Sequence, residues 1–297
     1  MTAALGFLSP KGRVLPIVAV LAVVIVFWYA LAVALNHARV SEQLAGVNPD
    51  YSVGDLLKGT WNMERPVLPA PDQIAVDLWK STAQLKVTSK RSLLYHAYIT
   101  ASATLVGFAF GAVLGILLAA GIVHVRTLDR SLMPWIIASQ TIPILAIAPM
   151  VIVILASIGV TGLIPKAIIS MYLCFFPVAI GMVKGLRSPD PLQMDLMRTY
   201  NASQWQIFWK LRVPASIPFL FASLKVAIAI SLVGAIVGEL PTGAEGGLGS
   251  RMLAGSYYGQ MVQIWSALVL ASILGMVLVY SIAGIEWATL RRGGERA

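Results

Sequence analysis

No charged residue interrupts residues 98–123. A run of that length exceeds the roughly 20 helical residues that cross a hydrocarbon core. Inside lipid a segment must also satisfy its own backbone hydrogen bonds, so such runs are restricted to helices. Comparable runs recur at residues 14–35, 132–158, 163–183, 216–240 and 264–290. Charged residues make up only 12% of the chain and hydrophobic residues 58%, against about 25% and about 45–50% in soluble domains. The expected fold class is all-α, a polytopic membrane protein of about six transmembrane helices.

Lys11 and Arg13 precede the first run as in a signal peptide, but the run outlasts the 7–15 apolar residues typical of a signal core. A retained anchor is expected, with cleavage near Ala34 as the alternative. Residues 1–92 then form an N-terminal anchor and periplasmic segment, and residues 93–290 the transmembrane core. Within residues 36–92, Asn48-Pro49-Asp50 and the prolines 66, 69 and 71 break regular structure. Residues 72–84 interleave Ile74, Leu78 and Leu85 with charges and predict a short amphipathic surface helix. No soluble domain is expected after the sixth run.

Gly107, Gly111 and Gly115 recur every fourth residue and mark a close-packing helix face. The third run holds Pro134, Pro143 and Pro149, which remove backbone donors and kink a helix. Gln140 and Thr141 sit beside Pro143; they either line a pathway or satisfy the freed carbonyls. Phe175 and Phe176 beside Pro177 are core packing, or lining for a planar substrate. Glu239 ends the fifth run, where a carboxylate is either part of a pathway or gate, or a hydrated interfacial group before a Pro241-Thr242-Gly243 turn. Gly246-Gly247-Leu248-Gly249 reads as a flexible external loop.

The formal charge of +9 is explained by topology rather than by nucleic acid. With the N-terminus inside, Lys11, Arg13, Arg126, Arg130, Lys184, Arg187, Arg198, Lys210, Arg212, Arg291, Arg292 and Arg296 are cytoplasmic, whereas the short external loops carry Lys166 and Arg251. Both termini are then cytoplasmic. Lys225, inside the fifth run, reads as a snorkelling side chain. The lone Cys174 makes no intrachain disulfide, and the scattered His37, His96 and His124 predict no metal cluster.

This orientation places a polar island, residues 190–214, in the cytoplasm between the fourth and fifth runs. Residues 192–200 and 202–212 predict two short helices, with Asn201 as the turn between them because Asn tolerates a left-handed backbone. Trp205, Phe208, Trp209 and Leu211 form an apolar stripe on the second. Asp195 either caps a helix or meets a basic partner, and Arg198 is spaced to pair with it.

The island resembles the EAA loop of permease subunits in ATP-binding cassette (ABC) importers. That loop reads Glu-Ala-Ala, three residues, Gly, nine residues, Ile-x-Leu-Pro. Asp195-Leu196-Met197, Asn201 and Leu211-Arg212-Val213-Pro214 stand at the matching positions, with altered identities. Gln140-Thr141-Ile142-Pro143, Phe176-Pro177, the 202–208 segment, Pro214-Ala215-Ser216-Ile217-Pro218, and Gly238-Glu239 followed by Gly246-Gly247-Leu248-Gly249 resemble the nitrate/sulfonate/taurine-type branch. The resemblance spans about residues 65–290. It implies a type I importer permease fold in a bacterial inner membrane and dimerisation with a second permease subunit. It also implies a coupling helix docked in cytoplasmic ATPase subunits, and substrate delivery by a periplasmic binding protein. Carried over by position, Asp195, Met197, Arg198, Asn201, Ala202, Ser203, Trp205 and Phe208 are the coupling residues, and an acid at Glu239 is a pathway or gate residue.

No GxxxxGK[ST] phosphate loop is present. The chain is therefore expected to be no enzyme and to bind no cofactor; ATP and Mg belong to the partner ATPase. A stand-alone secondary transporter or channel is the alternative function. The spans hold no arginine cluster for an anion, which tilts the substrate toward a neutral planar heterocycle of pyrimidine type.

Overall fold

The small residues predicted to face a neighbour do so, and they organise the centre of the molecule. The computed structural model describes residues 14–47, 50–242 and 246–294. Lys11, Arg13, Asn48, Pro49, Gly243 and Arg296 of the sequence reading lie outside them. The described helices are α1 (Val14–Val47), α2 (Val53–Trp61), α3 (Pro71–Trp79), α4 (Leu93–His124), α5 (Arg126–Ser139), α6 (Ile144–Ser157), α7 (Leu163–Leu186), α8 (Pro191–Thr199), α9 (Gln204–Ile207), α10 (Val213–Glu239), α11 (Leu248–Tyr257) and α12 (Met261–Gly294). No strand occurs among the described residues.

Helices α4, α7 and α10 form the core. Gly107, Gly111 and Gly115 bury the face of α4 that meets α7. A hydroxyl ladder joins all three helices: Ser170 donates to the Ser231 carbonyl at 2.7 Å, and Ser231 to the Thr104 carbonyl at 2.9 Å. Association inside lipid relies on such packing and hydrogen bonds, because lipid tails are as apolar as leucine. At Gly111 an added Cβ would overlap the Cys174 sulfur. Gly111→Leu is therefore expected to destabilise the protein by about 3 kcal/mol, read as a lowered thermal midpoint. Gly284→Leu, with open space at its Cβ position, is the matched control and should leave the midpoint unchanged.

Among the described residues five helices are long and apolar enough to cross a membrane, and the α5–α6 pair makes up to six. The predicted third span is not one kinked helix. It is two helices bent by 97°, broken at Gln140, Thr141 and Ile142, with Pro143 before the first turn of α6. Proline lacks the N–H that would extend α5, and its fixed φ suits a helix start.

The predicted amphipathic helix is present as α3, extended by a π-helical turn at Lys80–Gln84. Its Ile74 carbonyl is 3.5 Å from the Ser266 hydroxyl of α12. Asn36 of α1 is fully buried and accepts from the Val67 N–H at 2.7 Å while donating to the Leu68 and Thr60 carbonyls. Trp28 donates to the Pro69 carbonyl at 3.1 Å and meets Trp265 at 4.9 Å. Contacts on both sides of Ala34 thus bind α1 into the fold.

Two bases depart from the sequence reading. Lys166 is not in an external loop but buried in the first turn of α7. Lys225 does not merely snorkel: its ammonium pairs with Glu286 of α12 at 2.5 Å. A charge within a span is stabilised by such a partner.

Candidate functional site

The segment 190–212 folds as two short helices at one end of the core. Asp190, not Asp195, caps α8: its carboxylate accepts from the Leu192 N–H at 2.8 Å, and Pro191 occupies the first turn, where no donor is missed. Asp195 instead pairs with Arg198 at 3.1 Å, with both side chains about two-thirds exposed. No α8 residue is buried.

Asn201 is the only non-glycine residue with positive φ among the described residues, at 52°. Its N–H bonds to the Arg198 carbonyl at 2.8 Å, and the Ala202 N–H to the Met197 carbonyl at 3.0 Å. This pair of bonds is the Schellman helix stop, which requires a left-handed residue. Ser203 then opens α9 with a capping box: its hydroxyl accepts from Gln206 N–H, and Gln206 Oε1 accepts from Ser203 N–H at 2.9 Å. Both ends of the elbow are thereby hydrogen-bonded.

Beyond Ile207 a π-helical turn, Phe208–Arg212, runs directly into α10. The predicted stripe is split between two faces. Ile207 and Phe208 are buried, and Phe208 meets the His124 ring at 4.5 Å. Trp205 and Trp209 face outward, 68% and 51% exposed, with ring centroids 5.5 Å apart. Asp195, Arg198, Asn201, Ser203 and Trp205 are exposed, Met197 and Ala202 half-buried. Phe208 is thus an internal rivet between α9 and α4, not a surface contact.

At the opposite end, Glu239 is neither hydrated nor open to a pathway within this chain; it is 0% exposed. Its carboxylate accepts from the Thr100 hydroxyl at 2.8 Å and from the Gly249 N–H at 2.8 Å. The Leu248 N–H donates to Thr100 Oγ1 at 2.9 Å, and the Gly247 N–H to His96 Nδ1 at 3.0 Å. Lys166 Nζ donates to the Gly246 carbonyl at 3.2 Å. The expected flexible loop is therefore a buried clamp that opens helix α11. Gly247 has φ 119°, and a Cβ there would overlap the Glu239 carboxyl carbon. Outside the spans, burial pulls the Arg251 guanidinium of α11 below the ordinary arginine value, opposed by the charge of Asp77.

Gln140 and Thr141 lie at the α5–α6 break. The Thr141 hydroxyl donates to the Ala138 carbonyl at 2.7 Å, so it satisfies the broken helix end; Tyr172 of α7 donates to the Ser139 carbonyl. Phe175 is buried in the α4–α7 core and Phe176 is half-buried against it. Tyr172 stands between the two groups: it bonds to Ser139, next to Gln140, and its ring lies 6.2 Å from Phe175. Glu239 belongs to the separate clamp at the opposite end of the core. Of that clamp, Thr100 was not singled out by sequence, and His96 and Lys166 were read only as a scattered histidine and a loop base; nothing local distinguishes them from other span-end residues.

Residues 111–286 match the family described as binding-protein-dependent transport system inner membrane component. The chain is 27% identical to a probable ABC transporter permease protein of Haemophilus influenzae, over 73% of this chain and 83% of that protein. It is 30% identical to the formylaminopyrimidine transport permease protein ThiX of Halalkalibacterium halodurans, over 74% and 83%. The inward-facing MetNI methionine ABC transporter shares the fold, with a TM-score of 0.53, 21% identity, and coverage of 66% of this chain and 95% of that one. The chain belongs to the family of binding-protein-dependent transport system inner membrane components. Its activity is that of a permease subunit forming the translocation pathway of an ABC importer in the inner membrane, with ABC ATPase and permease partners.

Proposed function

We propose that the α8–α9 elbow is the coupling element that docks on a cytoplasmic ATPase, and that the chain imports a small planar heterocycle of pyrimidine type. The observation that carries the first part is the construction of the elbow. It is stopped by Asn201, restarted by Ser203 and continuous with α10, yet its surface at Asp195, Arg198 and Trp205 is exposed among the described residues. A stiff, solvent-facing helix joined to a spanning helix transmits force, where a loop would absorb it. Met197 and Ala202 support the turn from within, and Phe208 holds it to α4.

Both termini are cytoplasmic in this reading, following the distribution of bases. ATP and Mg are bound by the partner, and this chain binds neither and hydrolyses nothing. The exposed apolar surface of α5 and α6, including Trp135, Leu145, Val153 and Ile154, faces a second permease subunit across the pathway. Gln140 and Thr141 stand on that side, with Phe175 and Phe176 behind them. A periplasmic binding protein delivers the substrate to the end that carries the Glu239 clamp. The likeness to ThiX, a formylaminopyrimidine transport permease protein, supports the pyrimidine assignment.

Co-expression and purification test the reading. The chain is expected to bring down an ATPase whose turnover rises when a substrate-loaded periplasmic binding protein is added. Ion-gradient-driven uptake by the purified chain alone would instead establish a secondary transporter.

A further inference from the structure

The import function leaves the junction of α1, α2 and α3 unexplained. Tyr29, Trp61, Asn62, Asp72 and Val26 line an open pocket of about 490 Å³ there. The rings of Tyr29 and Trp61 meet at 5.6 Å and 77°, so two aromatic walls form a corner. Asp72 accepts from the Tyr29 hydroxyl through Oδ1 at 3.0 Å. Its Oδ2 has no hydrogen bond or ion pair among the described residues. The Trp61 indole N–H is buried and meets no acceptor among them.

Aromatic faces beside a carboxylate with a free acceptor oxygen attract a compact cation. Among the described residues no three metal-ligating side chains converge, so a coordinated metal ion is poorly served. An organic ammonium needs only the rings and one carboxylate. The free indole donor suits an acidic oxygen carried by the same molecule. Val26 adds the decisive feature. It also lines a second, apolar pocket along α1, of about 460 Å³, with Ala22, Val23, Phe27 and Ala30. A polar corner and an apolar groove thus share one residue on a membrane-spanning helix, where Trp28 and Trp265 extend the ring of interfacial aromatics.

We propose that the Tyr29–Trp61–Asp72 corner binds an alkylammonium group, supplied by the headgroup of a phospholipid of phosphatidylethanolamine type whose acyl chain lies along α1. The ammonium sits against the rings and Asp72, and the phosphodiester faces the Trp61 side.

Native mass spectrometry of the full chain in detergent tests this, titrated with short-chain phosphatidylethanolamine, phosphatidylglycerol and free ethanolamine. Phosphatidylethanolamine is expected to be retained about tenfold more tightly than phosphatidylglycerol, the scale of one cation–π contact plus one ion pair. Asp72→Asn and Tyr29→Leu should each remove that preference. Tyr29→Phe should keep it, because the ring remains and the carboxylate gains a second free oxygen. Equal retention of the two lipids, or an unchanged preference in both Asp72→Asn and Tyr29→Leu at wild-type thermal midpoints, overturns the site. Saturation by free ethanolamine at the concentration at which the lipid saturates overturns the lipid as its source.

Discussion

Trp209→Pro is expected to abolish substrate uptake while leaving the subunit inserted in the membrane. Trp209 lies in the π-helical turn that welds α9 to α10. Proline there removes an N–H and clashes with the preceding turn, a cost of about 3 kcal/mol or more in a helix interior. The side chain lost is more than half exposed, so core packing is spared. Trp209→Ala removes the same ring without breaking the backbone and separates the two effects. Asp195→Arg attacks the same element by charge, since it destroys the Asp195–Arg198 pair and reverses the sign of an exposed site. In proteoliposomes with the ATPase and the binding protein, basal ATP hydrolysis should persist while uptake falls at least about tenfold, about 1.4 kcal/mol of lost coupling. Wild-type uptake by Trp209→Pro would remove the elbow from the mechanism.

The second large effect is expected at the other end. Glu239→Ala strands the Gly249 N–H in a fully buried site, while the Thr100 hydroxyl keeps the His96 carbonyl as an acceptor at 3.1 Å. An orphaned buried donor costs about 1–3 kcal/mol and the vacated carboxyl volume adds to it, so a loss of about 3 kcal/mol is expected. It should appear as a lower thermal midpoint and as protease sensitivity of the 246–257 region, because α11 loses its anchor. Glu239→Gln keeps one acceptor oxygen and should fall between. A gate that merely senses substrate predicts the reverse pattern, with wild-type stability and altered uptake. An unchanged midpoint in Glu239→Ala would sink the clamp.

Much of this architecture was legible from local chemistry. Apolar runs locate the spanning helices because lipid leaves a backbone no other solution. The four-residue glycine spacing identified the α4 face that meets α7, and Asn201 marked a left-handed turn. What stayed hidden depends on partners far away in the chain. Thr100 and Glu239 are separated by 139 positions, and no local pattern announces that they meet. Gly247 looks like a loop residue until its close approach to Glu239 is seen; the same glycine that permits flexibility also permits contact. Pro143 located the break in the third span, but a missing donor says where a helix stops, not that its successor leaves at 97°. The opposite facing of Trp205 and Phe208 stayed hidden because it is set by the core that Phe208 enters beside His124 of α4, far away in the chain.

Residues Gln204–Glu239 run as a single 36-residue helix, about 54 Å long at about 1.5 Å per residue. One end carries the exposed elbow and the other carries the buried carboxylate that grips α11. The molecule therefore owns one continuous shaft, with a π-helical turn and Pro218 along it. Under the proposed coupling, a nudge at the elbow would arrive at the other end as a tug on α11, so both ends would be timed by one part rather than by a relay of loops.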